Sequence, residues 1–271
     1  MARDRTAATA AGEVAISRQQ GPALVGGAAG GIGRAVTRRL AEAGHDVVLV
    51  GRTADTLAAT ATEVATATGR RAYPLVADLA DPLAAAALPE RAAALAGPPD
   101  VVVLNAGGPP PGRVLDVTDD GWAAGLDLLL RAPLALARAV LPGMCARGYG
   151  RLVVVTSTAV RQPQPDLAVS VVARAAMTAA AKLLANEVAA DGVTVTCVAP
   201  GATATPRRRE ILTRRAEATG TGLDVLERAD VAAVPAGRPG AAEEIAEAVA
   251  WLASPASGYV TGTVLTVDGG R

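Results

Sequence analysis

Residues 21–43 constrain the fold more than any other stretch. Gly21-Pro22-Ala23-Leu24-Val25 is a short apolar run, and Gly27-Ala28-Ala29-Gly30-Gly31-Ile32-Gly33 follows it directly. From Ile32 to Ala43 the apolar residues Ile32, Val36 and Leu40 recur at helical spacing. A strand that turns through glycines into a helix makes a site for an anion. Gly27 permits the tight turn, Gly31 lets backbone approach a pyrophosphate, and Gly33 lets the helix pack close to the sheet. The helix N-terminus then faces the phosphate charge.

The rest of the chain repeats this alternation. Apolar runs over 46–50, 72–76, 100–104, 152–156, 193–198 and 264–267 predict strands. Segments 54–68, 122–147, 166–190 and 241–252 read as helices, and Gly44 and Gly69 close the first two helices of the chain. Strands alternating with helices imply a parallel sheet covered on both faces. The continuous apolar runs fit strands buried on both sides. With 271 residues, 51% of them hydrophobic, the chain suits one large α/β domain with a full core. Residues 1–20 carry charges at Arg3, Asp4, Arg5 and Glu13 and lack the apolar segment of a signal peptide. They are expected to form a flexible extension. Residues 206–235 break the alternation with Arg207, Arg208, Arg209, Arg214 and Arg215, and predict a helical flap over a site.

Composition excludes several classes of function. Basic and acidic residues balance at 26 each, which argues against nucleic acid or an anionic membrane as partner. Aromatics make up 2% of the chain, so base-stacking platforms are not expected. Cys145 and Cys197 form no CxxC or Cys/His cluster, so neither a disulfide scaffold nor a metal site is expected. They read as buried small hydrophobes in a reducing cytoplasm. No stretch is expected to reach the roughly 20 apolar residues of a membrane span.

Further motifs carry a resemblance. Asp78-Leu79 follows the third strand and Asn105-Ala106-Gly107 the fourth. Pro200-Gly201 with Thr205 follows the sixth, and Gly237-Arg238-Pro239 precedes the late helix. Tyr259 to Gly262 and Val267-Asp268-Gly269-Gly270 close the chain. Together with the glycine loop, these segments resemble the short-chain dehydrogenase/reductase family from residue 21 to the C-terminus. The resemblance implies a single-domain Rossmann fold, a doubly wound parallel sheet of about seven strands with helices on both faces. It implies a nicotinamide cofactor held by Gly27, Gly31, Ile32, Gly33, Asp78, Leu79, Asn105, Ala106, Gly107, Pro200, Gly201 and Thr205. It also implies a small-molecule substrate and a homo-oligomer, a dimer or tetramer. At the end of the second strand, where an acid would bind the ribose of NAD, stand Gly51 and Arg52. Losing the carboxylate and gaining a guanidinium favours NADP(H). Gly30 stands where many NADP-dependent relatives are basic, which weakens that preference, and Gly26 replaces the family's Thr, which removes one side-chain hydrogen bond.

The catalytic pattern departs further. The family places Tyr thirteen residues after a Ser and Lys four residues after the Tyr. Here Ser157 is followed by Ser170 and Arg174, and the family's relay Asn, counted from Trp122, falls on Leu129. Serine is a poor general acid near neutrality. Arginine keeps its proton, yet its fork can hold a ribose hydroxyl, a carboxylate or a phosphate. Ser157, Ser170 and Arg174 are the candidate catalytic residues, and Ser170 and Arg174 share a helix face. No replacement acid stands out. His45 is expected on a surface turn, Tyr149 and Tyr73 lie remote, and Tyr259 is expected to pack in the C-terminal segment. Asp166 is the only carboxylate in the loop after Ser157, and Lys182 matches an ordinary helix position. Gly108-Pro109-Pro110-Pro111-Gly112 predicts a stiff pocket wall, and ketoacyl reductases of the family share a similar run.

Three readings stay open on these residues. One is an NADP(H)-dependent oxidoreductase acting on a small carbonyl or hydroxyl metabolite, ketoacyl- or polyketide-like, with the proton taken from water or substrate. Another is a non-redox cyclase, dehydratase or isomerase in which NADP(H) is vestigial. The last is a silent subunit pairing with an active paralogue through the helices at 122–147 and 166–190.

Overall fold

Each apolar run becomes a strand, and every pairing between neighbouring strands is parallel. The structure is a computed structural model that describes residues 20–271; except for Gln20, the extension expected over 1–20 lies outside the described residues. The elements are β1 (Ala23–Gly26), α1 (Gly31–Glu42), β2 (Val47–Gly51), α2 (Ala54–Thr68), β3 (Ala72–Val76), α3 (Pro82–Ala96), β4 (Val101–Leu104) and α4 (Asp119–Leu126). A π-helical turn over Asp127–Arg131 joins α4 to α5 (Ala132–Ala146). Then come β5 (Gly150–Val155), α6 (Ala168–Val188), β6 (Val193–Pro200), α7 (Pro206–Thr219), α8 (Leu223–Ala232), α9 (Ala242–Ala253) and β7 (Val264–Val267). The sheet order is β3-β2-β1-β4-β5-β6-β7.

Register explains how one sheet feeds two cores. Leu24 aligns with Val48 and Val102, and Val102 aligns with Leu152. These side chains point to one face, where α3, α5 and α6 add Leu88, Leu136 and Met177. The next residue of each strand points the other way. Val25 aligns with Leu49 and Val103, and Val103 with Val153; they meet Val36, Leu57 and Ile245 from α1, α2 and α9. Period-two alternation therefore places an apolar row on both faces. Pro74 cannot donate to a ladder, and it sits in β3 at the sheet edge.

Four expectations are corrected. α3 has no counterpart among the helices read from sequence. Asp81 caps it by accepting from the Leu83 N–H at 2.8 Å, with Pro82 in its first turn. It runs on past Pro89 because Ala85, Leu88 and Ala92 are buried against the sheet. His45 is buried rather than on a surface turn, its Nδ1 2.7 Å from the Gly21 carbonyl oxygen. Tyr259 is fully exposed rather than packed. Finally, Asp119–Ala146 and Ala168–Asp191 are long and apolar enough to cross a membrane by length and composition. Both lie along the sheet, with Leu136, Val140 and Met144 of one and Met177, Ala181 and Ala185 of the other in its core.

Candidate active site

Parallel strands bring all their carboxyl ends to one edge. The chain reverses its strand order at β1, whose neighbours are β2 and β4, so the loops after β1 and β4 part and leave a crevice. A cleft of about 800 Å³ lies there. Every candidate named from sequence lines it: Gly27, Gly31, Ile32, Gly33, Arg52, Asp78, Leu79, Asn105, Ala106, Gly107, Ser157, Ser170, Arg174, Pro200, Gly201 and Thr205. Residues as far apart in the chain as Gly27 and Thr205 share one cleft because the strand ends converge.

The glycine loop is shaped by close backbone approach. Gly27 has φ +58°, in the left-handed region that favours glycine. A Cβ on Gly33 would lie 2.0 Å from the Gly27 carbonyl oxygen, so no larger residue fits this arrangement. The Asn105 Nδ2 donates to the Gly26 carbonyl at 3.0 Å and locks the end of β4 to the end of β1. Around Gly30 and Gly107 a Cβ would meet nothing within 4 Å, so both present bare backbone to open space. Across the cleft Thr205 caps α7, accepting from the Arg208 N–H at 3.3 Å, and its methyl stands 3.3 Å from where a Gly31 Cβ would be. The Gly201 N–H donates to the Val267 carbonyl at 3.0 Å, which fixes the Pro200-Gly201 turn on β7. Arg52 is exposed on the lining and makes no hydrogen bond or ion pair among the described residues. Asp78 holds the turn after β3 by accepting from the Ala80 N–H at 3.0 Å.

At the other end of the cleft α6 presents Ser170 and Arg174 on one face, one turn apart. The Arg174 Nε donates to the Ser170 Oγ at 3.3 Å. Its Nη1 donates to the carbonyls of Val155 at 2.6 Å and Thr156 at 3.3 Å, at the end of β5. Its Nη2 makes no hydrogen bond among the described residues. Arg174 has no carboxylate partner among the described residues. Desolvation, and then the nearby charge of Arg207, push its pKa down to about 10. Burying a lone guanidinium costs several kcal/mol, and each hydrogen bond from a charged donor returns about 1.5–3. With a pKa of about 10 the group stays a cation near neutrality. Ser157 is in extended backbone and accepts from the Ala159 N–H at 3.1 Å, starting a 3-10 turn over Thr158–Val160. Leu129 is buried in the π-helical turn and does not reach the cleft. It lines a smaller apolar cavity of about 30 Å³ behind it, with Leu136, Val154, Met177 and the inner side of Arg174.

The α7–α8 pair walls the cleft, and arginines fasten it. Arg215 grips Asp166 with Nε at 2.5 Å and Nη2 at 2.8 Å, and reaches Gln164 at 2.7 Å. Asp166 is thus occupied in an ion pair rather than free to act as an acid. The Arg207 Nη2 donates to the Pro109 carbonyl, and Arg208 pairs with Asp230 of α8 at 2.8 Å. The proline-rich wall is itself tied to the start of α6: the Gly112 N–H donates to the Asp166 carbonyl at 2.6 Å. Sequence reading placed these arginines on a polar flap but not in the site. The signal was present, because Arg208, Leu212 and Arg215 recur at helical spacing around the one buried residue of α7, Leu212. Lys182 lies toward Gly262, where a Cβ would come 2.8 Å from its Nζ, so it is no substitute for a lysine at 174.

Comparison with known proteins meets this geometry. A family model described as enoyl-(acyl carrier protein) reductase matches residues 27–271. The short-chain reductase protein NovJ of Streptomyces niveus is 37% identical over 266 residues, covering 97% of this chain and 98% of that protein. The 3-oxoacyl-[acyl-carrier-protein] reductase FabG of Escherichia coli is 34% identical over 249 residues, 92% of this chain and 96% of its own. A crystal structure of an actinorhodin polyketide ketoreductase variant with NADPH superposes with a TM-score of 0.88 at 30% identity, over 93% of this chain and 97% of that one. The match runs from the glycine loop through the last strand, and on that extent the chain belongs to the short-chain dehydrogenase/reductase family.

Proposed function

We propose that this chain is an NADP(H)-dependent oxidoreductase that interconverts a carbonyl and an alcohol on a small metabolite of ketoacyl or polyketide type, with Ser170 and Arg174 replacing the family's Tyr and Lys. The observation that carries the reading is the crevice between β1 and β4, whose backbone is bared by glycines and whose β2 side ends in Arg52, a guanidinium without a partner among the described residues. Gly27, Gly31 and Gly33 would hold the cofactor pyrophosphate at the start of α1. Arg52 would take the 2′-phosphate in a forked contact, with Gly51 rather than an acid at the end of β2 to repel that charge. Asp78, Leu79, Asn105, Ala106 and Gly107 would line the nucleotide side, and Pro200, Gly201 and Thr205 the nicotinamide side. When bound, the cofactor supplies or accepts a hydride.

The chain's own residues then orient and polarise the substrate. Ser170 already accepts a hydrogen bond from Arg174, so its own proton is free to be donated to a carbonyl oxygen. Ser157 offers a second hydroxyl from the end of β5. Arg174, a cation at neutral pH, stabilises negative charge developing at that oxygen. None of these groups readily gives up a proton near neutrality, and the cavity behind them is lined mostly by apolar side chains, Leu129 among them. Water or substrate therefore supplies the proton. The α7–α8 pair serves as the flap that shields the site.

The test is nucleotide titration followed by a reversal of the altered pair. NADPH is expected to bind at least about tenfold tighter than NADH. Binding of neither nucleotide would overturn the reading and favour non-redox chemistry. Ser170→Tyr combined with Arg174→Lys is expected to raise NADPH-dependent reduction of simple ketones.

A further inference from the structure

The cleft lining carries six arginines against three carboxylates, an excess of positive charge that a phosphate-bearing cofactor would neutralise only in part. The arginines are not equivalent. Arg208 and Arg271 share Asp230 and Arg215 is held by Asp166, while Arg52 stands at the far end, beside the glycine loop. Arg174 and Arg207 remain. Arg174 lines the cleft and its Nη2 makes no hydrogen bond among the described residues; Arg207 lines the same cleft and keeps an unpartnered Nε among them, its other nitrogens going to Pro109 and Glu210. The charge of Arg207 is felt at Arg174, so two cations face the same volume with one carboxylate, Glu210, shared between Arg207 and Arg214. Two guanidiniums set together without a full counter-charge repel, and an anion between them relieves the repulsion while gaining forked hydrogen bonds.

We infer that the substrate carries its own carboxylate, held by the Nη2 of Arg174 and by Arg207, so that the substrate class is a short oxo acid or its hydroxy-acid product. The spacing follows from Ser170. Its hydroxyl lies 3.3 Å from the Arg174 Nε, so the group that would bind the carbonyl and the group that would hold the carboxylate are neighbours on one helix face, which suits a ligand with those two functions close together. That geometry describes a 2-oxo or 3-oxo acid. An acyl thioester, which lacks the anion at that position, would leave Arg174 without its partner. The inference rests on the redox reading for the identity of the reacting carbonyl, but the anion site itself does not need hydride transfer.

The experiment measures binding apart from turnover. The whole chain, saturated with NADP+, is titrated calorimetrically with 2-oxobutanoate, 3-oxobutanoate and the methyl ester of each. At least one acid is expected to bind at least about tenfold tighter than its ester. Arg174→Met is expected to abolish that preference, and Arg207→Met to reduce it at least about threefold. Because Arg207 lies on the surface helix pair, its variant keeps the test decisive where Arg174→Met fails to fold. Esters binding as well as acids, no binding by any of the four, or a preference that survives Arg207→Met would each overturn the inference. The same acids are then followed for NADPH oxidation. Preferential binding of the acids without oxidation supports the carboxylate site and removes the redox reading alone.

Discussion

Among the glycines of the described residues, the closest approach to a neighbouring atom is at Gly33. Its Cα is so close to the Gly27 carbonyl that an added methyl would sit 2.0 Å from the oxygen. Gly33→Ala must push the start of α1 away from the loop, at about 1–3 kcal/mol for an overpacked site. The expected outcome is a lower midpoint in thermal or urea unfolding, together with NADPH affinity reduced at least about tenfold; an unchanged midpoint would mean the helix start gives way freely. Gly33 was legible in the sequence, because a glycine at that spacing after a strand has a specific steric job. Ser170 and Arg174 were legible as positions, by their separation from Ser157. The partners of Arg174 were not. The carbonyls of Val155 and Thr156 belong to a different element, and nothing local in the sequence announces that a guanidinium four residues past Ser170 will end on them.

Among the elements, the α7–α8 pair is the one whose attachment can be tested directly. It is fastened by charge at Asp166 and at the Pro109 carbonyl, with Leu212 as its buried anchor in α7. A partly exposed ion pair contributes about 1 kcal/mol at most. Arg215→Met is therefore expected to speed deuterium exchange across 206–232 by about fivefold, leaving β1, β4 and β5 protected as before. Uniform loosening of strands and helices alike would show that the pair is integral to the fold rather than separately mobile. Strands were the most readable elements, since apolar runs of four to eight residues leave little else. α3 escaped notice because Pro82 and Pro89 within fifteen residues look like punctuation, whereas one opens the helix and the other sits within it.

At the scale of the whole molecule, the parallel sheet separates two ends. The cleft collects the carboxyl ends of the strands, while His45 lies between α1 and the amino end of β2, about 15 Å away along strands of this length. Burial disfavours the charged imidazole and lowers its pKa, although the bond to Gly21 opposes this. The folded state thus binds fewer protons there than the unfolded chain, whose imidazole titrates near 6.5. His45 should then contribute stability in full above that pH and lose it as pH falls toward the folded value. Glu244 acts lower: Arg238 holds its carboxyl near 2, so its contribution is lost only below the ordinary carboxylate range near 4.5. The expected result is a melting temperature that drops between pH 7.5 and 5.5 in the wild type and drops less in His45→Gln, with NADPH affinity the same in both at pH 7.5. A variant that melts with unchanged pH dependence would mean the imidazole charges without cost. The sheet order itself was only partly legible: alternation implies parallel strands, but the burial of His45 depends on how Gly21 and Asp100 come together at the far edge.

The π-helical turn at Asp127–Arg131 has a consequence for ancestry. Such a turn accommodates one residue more than the regular helix, so counting along the chain from Trp122 loses its meaning in space once the turn is passed. Leu128 borders both the cleft and the inner cavity, whereas Leu129 borders the inner cavity alone. An alignment of this chain with a relative lacking the extra residue could equate either of them with the relative's polar side chain. Since both are leucine, either register places an apolar side chain at the wall of the inner cavity.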